Sequence, residues 1–232
     1  MSIEVYRAEF RLGDKKPTTG DLFRILQDAA TMHCDIIGYG GDVMEPLGLM
    51  WVIARYKVDV KRYPRANEHI AVDTWPVPAR HMLFPRHYLV KDDEGNVIIE
   101  ASAIWTVVER QERKMVNPTP YGVDFGGIIT GNELRLPTAP KKLPIMHDGS
   151  FVVPEDYLDV NGHMNNTRYY ELAEKFFGER IEGMSLKAAS TEYAAEALLG
   201  DELKLSWGWE ENRYYIIGEN EGTVFKMNLE YA

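Results

Sequence analysis

The chain has 232 residues, 45% of them hydrophobic and 27% charged, enough apolar material for one large buried core or two small ones. Its formal charge of −10 excludes nucleic acid as a partner, because phosphates call for a basic surface. A single cysteine, Cys34, excludes an intrachain disulfide and a Cys-rich metal site, and no apolar run reaches the length of a bilayer span. The opening residues Met1 to Arg7 have neither a basic n-region nor an apolar h-region, so the expectation is a cytoplasmic protein with no membrane association. Charge is uneven: up to Ile145 there are 19 basic and 19 acidic residues, and from Met146 onward 7 basic against 17 acidic. An acidic macromolecular partner is therefore steered toward the first part.

Residues Ile3 to Leu12 read as an opening strand, followed by a Gly/Pro turn. A helical period then places Leu22, Ile25, Leu26, Ala29, Met32, His33 and Ile36 on one face and stops at Gly38. Alternating runs follow at Val52 to Val60, Ile70 to Thr74, His87 to Val90 and Val97 to Val107, the last preceded by the turn Asp93-Glu94-Gly95-Asn96. The stretch 121–145 is rich in Gly and Pro without periodicity and reads as a linker. The same grammar then returns: a short strand at Ser150 to Val153, a helix to about Gly183, and strands at Leu186 to Tyr193, Leu203 to Trp209, Tyr214 to Ile216 and Phe225 to Leu229. This is a duplication of strand, helix and strands, with an N-terminal unit 1–120 and a C-terminal unit 146–232. A long helix followed by antiparallel strands packs well as a sheet curled around that helix, giving an α+β fold.

Between the short strand and the second helix lies Asp159-Val160-Asn161-Gly162-His163-Met164-Asn165-Asn166. A carboxylate, a carboxamide and an imidazole recur every second residue, just before a helix whose N-terminal N–H groups favour developing negative charge. Asn165 or Asn166 is the expected N-cap. At the helix-matched offset of 144 residues, Asp159, Asn161 and His163 correspond to Lys15, Pro17 and Thr19, so only the second copy carries the trio. The plain alternative is that Asp159 and Asn161 cap their own loop as Asx residues. His33, His69, His81, His87 and His147 show no ligand spacing, and nothing calls for a metal or cofactor.

Several stretches resemble one family, the fatty acyl-acyl-carrier-protein thioesterases of plant and bacterial type. They are Trp51-Val52-Ile53-Ala54-Arg55, Arg62-Tyr63-Pro64, Val72-Asp73-Thr74-Trp75 and Ala101-Ser102-Ala103-Ile104-Trp105, together with the polar motif and the strand from Leu186 to Glu196. The resemblance covers nearly the whole chain. It implies two tandem hotdog domains, hydrolysis of a fatty acyl thioester, acyl carrier protein as the acidic partner, and catalytic roles for Asp159, Asn161, His163 and Glu196. Where the family often has Arg-Arg-Glu-Cys this chain has Ala194-Ala195-Glu196-Ala197, so a cysteine nucleophile is missing there. The absence of a transit peptide points to a bacterial-type enzyme.

With no Gly-x-Ser-x-Gly elbow and the lone cysteine in the other half, a water-mediated general-base route is expected. Either Asp159 or Glu196 is the base, Asn161 orients water or carbonyl, His163 moves the proton, and N–H groups opening the second helix stabilise the oxyanion. The other readings are an acyl-CoA thioesterase and a non-catalytic protein that binds acyl thioesters. Lys57, Lys61, Arg62, Arg65, Arg110, Arg113 and Lys114, with Arg80 and Arg86, are either solvated or a docking surface for the carrier protein. Monomer and homodimer are both open.

Overall fold

The computed structural model describes residues 4–123, 125–159 and 161–232, so Ile3 and Val160 lie outside the described residues. Strand β1 (Tyr6–Arg11) leads into helix α1 (Thr19–Ile36). The helix starts earlier than its apolar stripe because Thr18 and Asp21 form a capping box. Asp21 N donates to Thr18 Oγ1 at 3.1 Å, and Thr18 N donates to Asp21 Oδ2 at 2.9 Å. Leu22, Phe23, Leu26, Ala29, Ala30 and His33 are buried, whereas Met32 and Ile36, expected on the same face, are exposed. The buried stripe is rotated toward Phe23 and Ala30 because a second helix, not only the sheet, packs against α1.

A short helix α2 (Gly41–Met44) precedes strands β2 (Leu49–Val60), β3 (His69–Pro76), β4 (Phe84–Lys91), β5 (Val97–Glu109) and β6 (Lys114–Met115). The second half supplies β7 (His147–Val152), α3 (Arg168–Phe177), β8 (Leu186–Tyr193), β9 (Glu202–Glu210), β10 (Arg213–Asn220) and β11 (Gly222–Tyr231). Among the described residues eleven strands form one antiparallel sheet in the order β1-β3-β4-β5-β2-β8-β11-β10-β9-β7, with β6 on β5. Read from its outer edge, each half has the same topology, so the duplication inferred from the sequence is visible in the strand order.

The halves join at two levels. In the sheet, Arg55 to Asp59 of β2 pair with Glu192 to Ala188 of β8, and Arg55 Nη2 contacts Glu192 Oε1 at 2.5 Å across the seam. Beneath the sheet, the Phe23 and Tyr170 rings stack at 3.7 Å, and Thr19 hydrogen-bonds Glu174, so α1 and α3 run antiparallel. Gly20 lets this happen: a Cβ there would meet Thr167 O at 3.2 Å. Buried side chains of both halves form one continuous core.

After a 3-10 turn (Thr119–Tyr121), the connection crosses the sheet without regular structure among its described residues. It is held by Ile128 N to Pro76 O at 2.9 Å, Ser190 Oγ to Thr138 O at 3.3 Å and Asn228 Nδ2 to Lys141 O at 2.9 Å. These bonds span both halves. Among the described residues no helix is long and apolar enough to cross a membrane.

Candidate active site

The seam opens at one end. Strand β2 carries a bulge at Ala54, where Ile53 pairs with Trp105 and Arg55 with Ile104. Bulges bend a strand away from its neighbour, and β2 pairs with β8 only from Arg55 onward. Ahead of the bulge the walls diverge: Met50 to Ala54 on one side, Tyr193 to Glu196 on the other. Asp159 and the segment 161–166 close the gap, leaving a cavity of about 450 Å³ lined by Asp159, Asn161, His163 and Glu196 together. All four residues singled out from the sequence meet there.

The loop is built around Asp159. Its Oδ1 accepts from Asn161 N at 2.7 Å and His163 N at 3.4 Å, and its N–H donates to His163 O at 2.8 Å. Gly162 supplies the positive φ, +79°, that the tight turn needs. Met164 N donates to Ala197 O at 2.8 Å, tying the loop to the chain leaving β8. This brings the mostly buried His163 to Glu196, with Nε2 3.3 Å from Oε2. Asp159 therefore does form an Asx-type brace, and it does so inside the cavity.

Two arginines from the first half complete the rim. Arg110 Nη2 donates to Asn161 Oδ1 at 3.4 Å while its Nη1 pairs with Glu45 at 3.1 Å. That contact leaves the Asn161 amide N–H₂ as a donor. Arg113 Nη1 donates to Glu196 Oε1 at 3.2 Å. Arg113 itself has φ +55°, a backbone region that costs about 1–2 kcal/mol for a residue with a Cβ.

The start of α3 differs from expectation. Thr167, not an asparagine, is the N-cap, and it makes no side-chain cap bond. Asn165 Oδ1 instead accepts from Thr167 N at 2.9 Å and Thr167 Oγ1 at 2.8 Å, a local Asx turn that competes with capping. Arg168 N and Tyr170 N donate to Asn165 O and Thr167 O, so these first-turn N–H groups, expected to serve an oxyanion, are engaged within the turn.

A second cavity of about 310 Å³ lies beside α1, between Ala30 and Cys34 on one side and Phe84, Trp105 and Phe125 on the other. Met50, Trp51 and Asn161 line both cavities, so the polar one and the apolar one lie side by side. Arg86 forms part of this inner wall at 3% exposure, which removes it from any docking surface. It reaches His33 Nδ1 at 3.0 Å, Thr74 Oγ1 at 3.2 Å and Cys34 Sγ at 3.5 Å. Burial, reinforced by the Arg86 charge, lowers the His33 pKa to about 4. Burial pushes the Cys34 thiol up, with Arg86 opposing it. Lys57, Lys61 and Arg62 pair with Asp59, Glu100 and Glu68, away from the cavity mouth. Among the described residues no group of three or more His, Cys, Asp or Glu side chains is gathered to hold a metal.

Residues 1–120 match the family model described as the acyl-ACP thioesterase N-terminal domain, and residues 148–229 match the acyl-ACP thioesterase C-terminal domain. The chain belongs to the acyl-ACP thioesterase family. Among curated members, it is 25% identical over 214 residues to the chloroplastic palmitoyl-acyl carrier protein thioesterase of Cuphea hookeriana, a match covering 83% of this chain and 52% of that protein. It is 25% identical over 213 residues to the chloroplastic oleoyl-acyl carrier protein thioesterase 2 of Arabidopsis thaliana, covering 81% and 57%. The chain spans about half the length of these relatives. The fold is similar to solved structures of comparable length. An acyl-ACP thioesterase from Bacteroides thetaiotaomicron gives a TM-score of 0.79 at 21% identity, covering 98% of both chains. The 12:0-ACP thioesterase from Umbellularia californica gives 0.79 at 19% identity, covering 98% of this chain and 94% of that one. The α+β architecture is therefore the tandem hotdog of this family.

Arg110 and Arg113, expected among the solvated or docking cations, belong instead to the cavity rim. Their contacts with Asn161 and Glu196 had no signal in the sequence, because both arise from a hairpin in the other half of the chain.

Proposed function

We propose that this protein hydrolyses the thioester between a fatty acyl chain and acyl carrier protein, releasing free fatty acid and so ending chain elongation in the cytoplasm. The observation that carries the reading is the adjacency of the polar cavity of Asp159, Asn161, His163 and Glu196 to the apolar cavity beside α1, with Met50, Trp51 and Asn161 lining both. An acyl chain lying in the second brings its thioester carbonyl to the first. The unit 1–120 then supplies most of the acyl cavity, the unit 146–232 the polar groups, and 121–145 the connection together with the Phe125 wall.

In this reading a water between the cavity wall and the carbonyl gives its proton to the His163–Glu196 pair as its oxygen attacks the carbonyl carbon. The Asn161 amide donates to the developing oxyanion. Collapse breaks the C–S bond, and the proton returns to the departing thiolate. A positioned base contributes about 10²–10⁴-fold and an oxyanion donor about 10²–10³-fold. Asp159 keeps Asn161 and His163 aimed by gathering their N–H groups.

The test is release of free fatty acid from acyl-acyl-carrier-protein and acyl-CoA substrates carrying the same chain. Faster turnover of the carrier-linked substrate is expected. Preference for CoA would transfer the activity to acyl-CoA hydrolysis, and binding without turnover would make this an acyl-thioester-binding protein.

A further inference from the structure

The β5–β6 hairpin turns through Arg113 in the left-handed region, a position where Gly or Asn is the low-cost residue. The turn's own bonds do not need an arginine. Arg113 N closes the turn onto Glu109 O at 2.9 Å, and the Glu109 carboxylate takes the N–H groups of Gln111 and Glu112. What only arginine adds is a guanidinium that leaves its own half, passes Met50 Sδ at 3.6 Å and reaches Glu196 Oε1. Partly exposed ion pairs contribute little to stability, and this one has side chains 42% and 31% exposed. A strained turn presenting a weak ion pair is poorly explained as a staple.

Glu196 is the group that gains. It stands beyond the end of β8, beside the exposed Ala194 and Ala195, where backbone bonds to Val224 O hold the chain but no bulky neighbour in sequence restrains the side chain. We propose that Arg113 is a positioning residue. By holding Oε1 of Glu196 from the N-terminal half, it keeps Oε2 on His163 Nε2, so the hydrolytic site is complete only when both halves contribute. This inference rests on the proposed hydrolytic reading of the cavity, and an outlier in backbone conformation beside such a site is consistent with strain retained for function.

The experiment uses the full chain and four variants: Arg113→Asn, Arg113→Lys, Glu196→Gln and the Arg113→Asn/Glu196→Gln double. Each is assayed on an acyl-acyl-carrier-protein and on the acyl-N-acetylcysteamine thioester of the same chain, with Tm recorded alongside. Arg113→Asn is expected to keep or raise Tm, because it relieves the turn. It should also lower kcat about 10- to 100-fold on both substrates with little change in KM. Arg113→Lys should recover part of that loss, and the double variant should be no slower than Glu196→Gln alone. A raised KM confined to the carrier-linked substrate would make Arg113 a docking residue and overturn the proposal, as would multiplicative losses in the double variant. An active Arg113→Asn beside an inactive Glu196→Gln removes this inference alone, whereas an active Glu196→Gln removes the role of Glu196 on which the inference rests.

Discussion

Two carboxylates flank His163, and they are held differently. Asp159 faces inward to its own loop and gathers backbone N–H groups, while Glu196 faces the imidazole and a guanidinium. In the proposed mechanism Glu196 accordingly takes the proton-handling role and Asp159 the task of shaping the loop. His163→Ala and Glu196→Gln are each expected to lower kcat by at least about 100-fold with Tm nearly unchanged. Asp159→Ala should lower kcat and Tm together, because Asn161 N and His163 N lose their acceptor. Asp159→Asn, which retains an Oδ1 acceptor, separates the two roles. Single-turnover assays with thermal melts on the same preparations check all four. A Glu196→Gln enzyme at wild-type rate would return the base role to Asp159. The candidate residues themselves were legible because three of them lie within five residues of one another; which carboxylate faces the imidazole was not, since Glu196 comes from a strand end 33 residues downstream.

The two helices set the next scale. Their apolar periods were readable, but the contact between them was not, because Phe23 and Tyr170 lie far apart in the chain and stack only when the halves pair. Both rings are essentially buried, and Tyr170 OH is also hydrogen-bonded to Thr191 Oγ1 at 2.8 Å. Removing the Phe23 ring leaves a cavity at the junction of both helices. Phe23→Ala is expected to cost about 3–5 kcal/mol, read as a lower urea midpoint with an unchanged m-value. Two separated unfolding transitions in that variant would show that the helices stabilise each half independently. The capping box at Thr18 and Asp21 sharpened the start of α1, whereas Asn165 was misread as a cap because an Asx turn satisfies the same side chain two residues ahead.

Across the whole molecule, the pseudo-twofold relation of the halves gives the polar trio a twin position of different chemistry, a cavity of about 230 Å³. At the twin position near Thr19, the Glu174 carboxylate accepts from Thr19 and from Tyr231 OH, while Lys16 Nζ donates to Ser185 Oγ at 2.7 Å. Those groups satisfy one another, with no imidazole among them. Stability against acid is also a property of the assembled core. His33 packs on Tyr6 and faces Arg86 and Cys34; His87 faces Ser102 Oγ and Trp75, with Glu133 nearby. Burial lowers both pKa values from 6.5 to about 4. The folded pKa lies below the unfolded one, so between these values the unfolded chain binds more protons and stability is lost as pH falls from 6.5 toward 4. The loss is at most roughly 3 kcal/mol per histidine. Half-buried Glu174, whose pKa is raised by desolvation, opposes this in the acid range. The urea midpoint should therefore be level above pH 7 and fall steadily from pH 6.5 to 4, with a shallower fall in His87→Gln. A midpoint independent of pH over that range would contradict the assignment of neutral buried imidazoles.

Periodicity, turn residues and a motif confined to eight positions are short-range properties, and from them the sequence alone determined the repeated unit, the helical periods and the polar trio. Burial of Arg86, the recruitment of Arg110 and Arg113, and the opening of the seam at Ala54 depend on residues dozens of positions apart meeting at one edge. No local pattern encodes such meetings: they arise when two copies of a folded unit bury their helices against each other and the sheet closes across both.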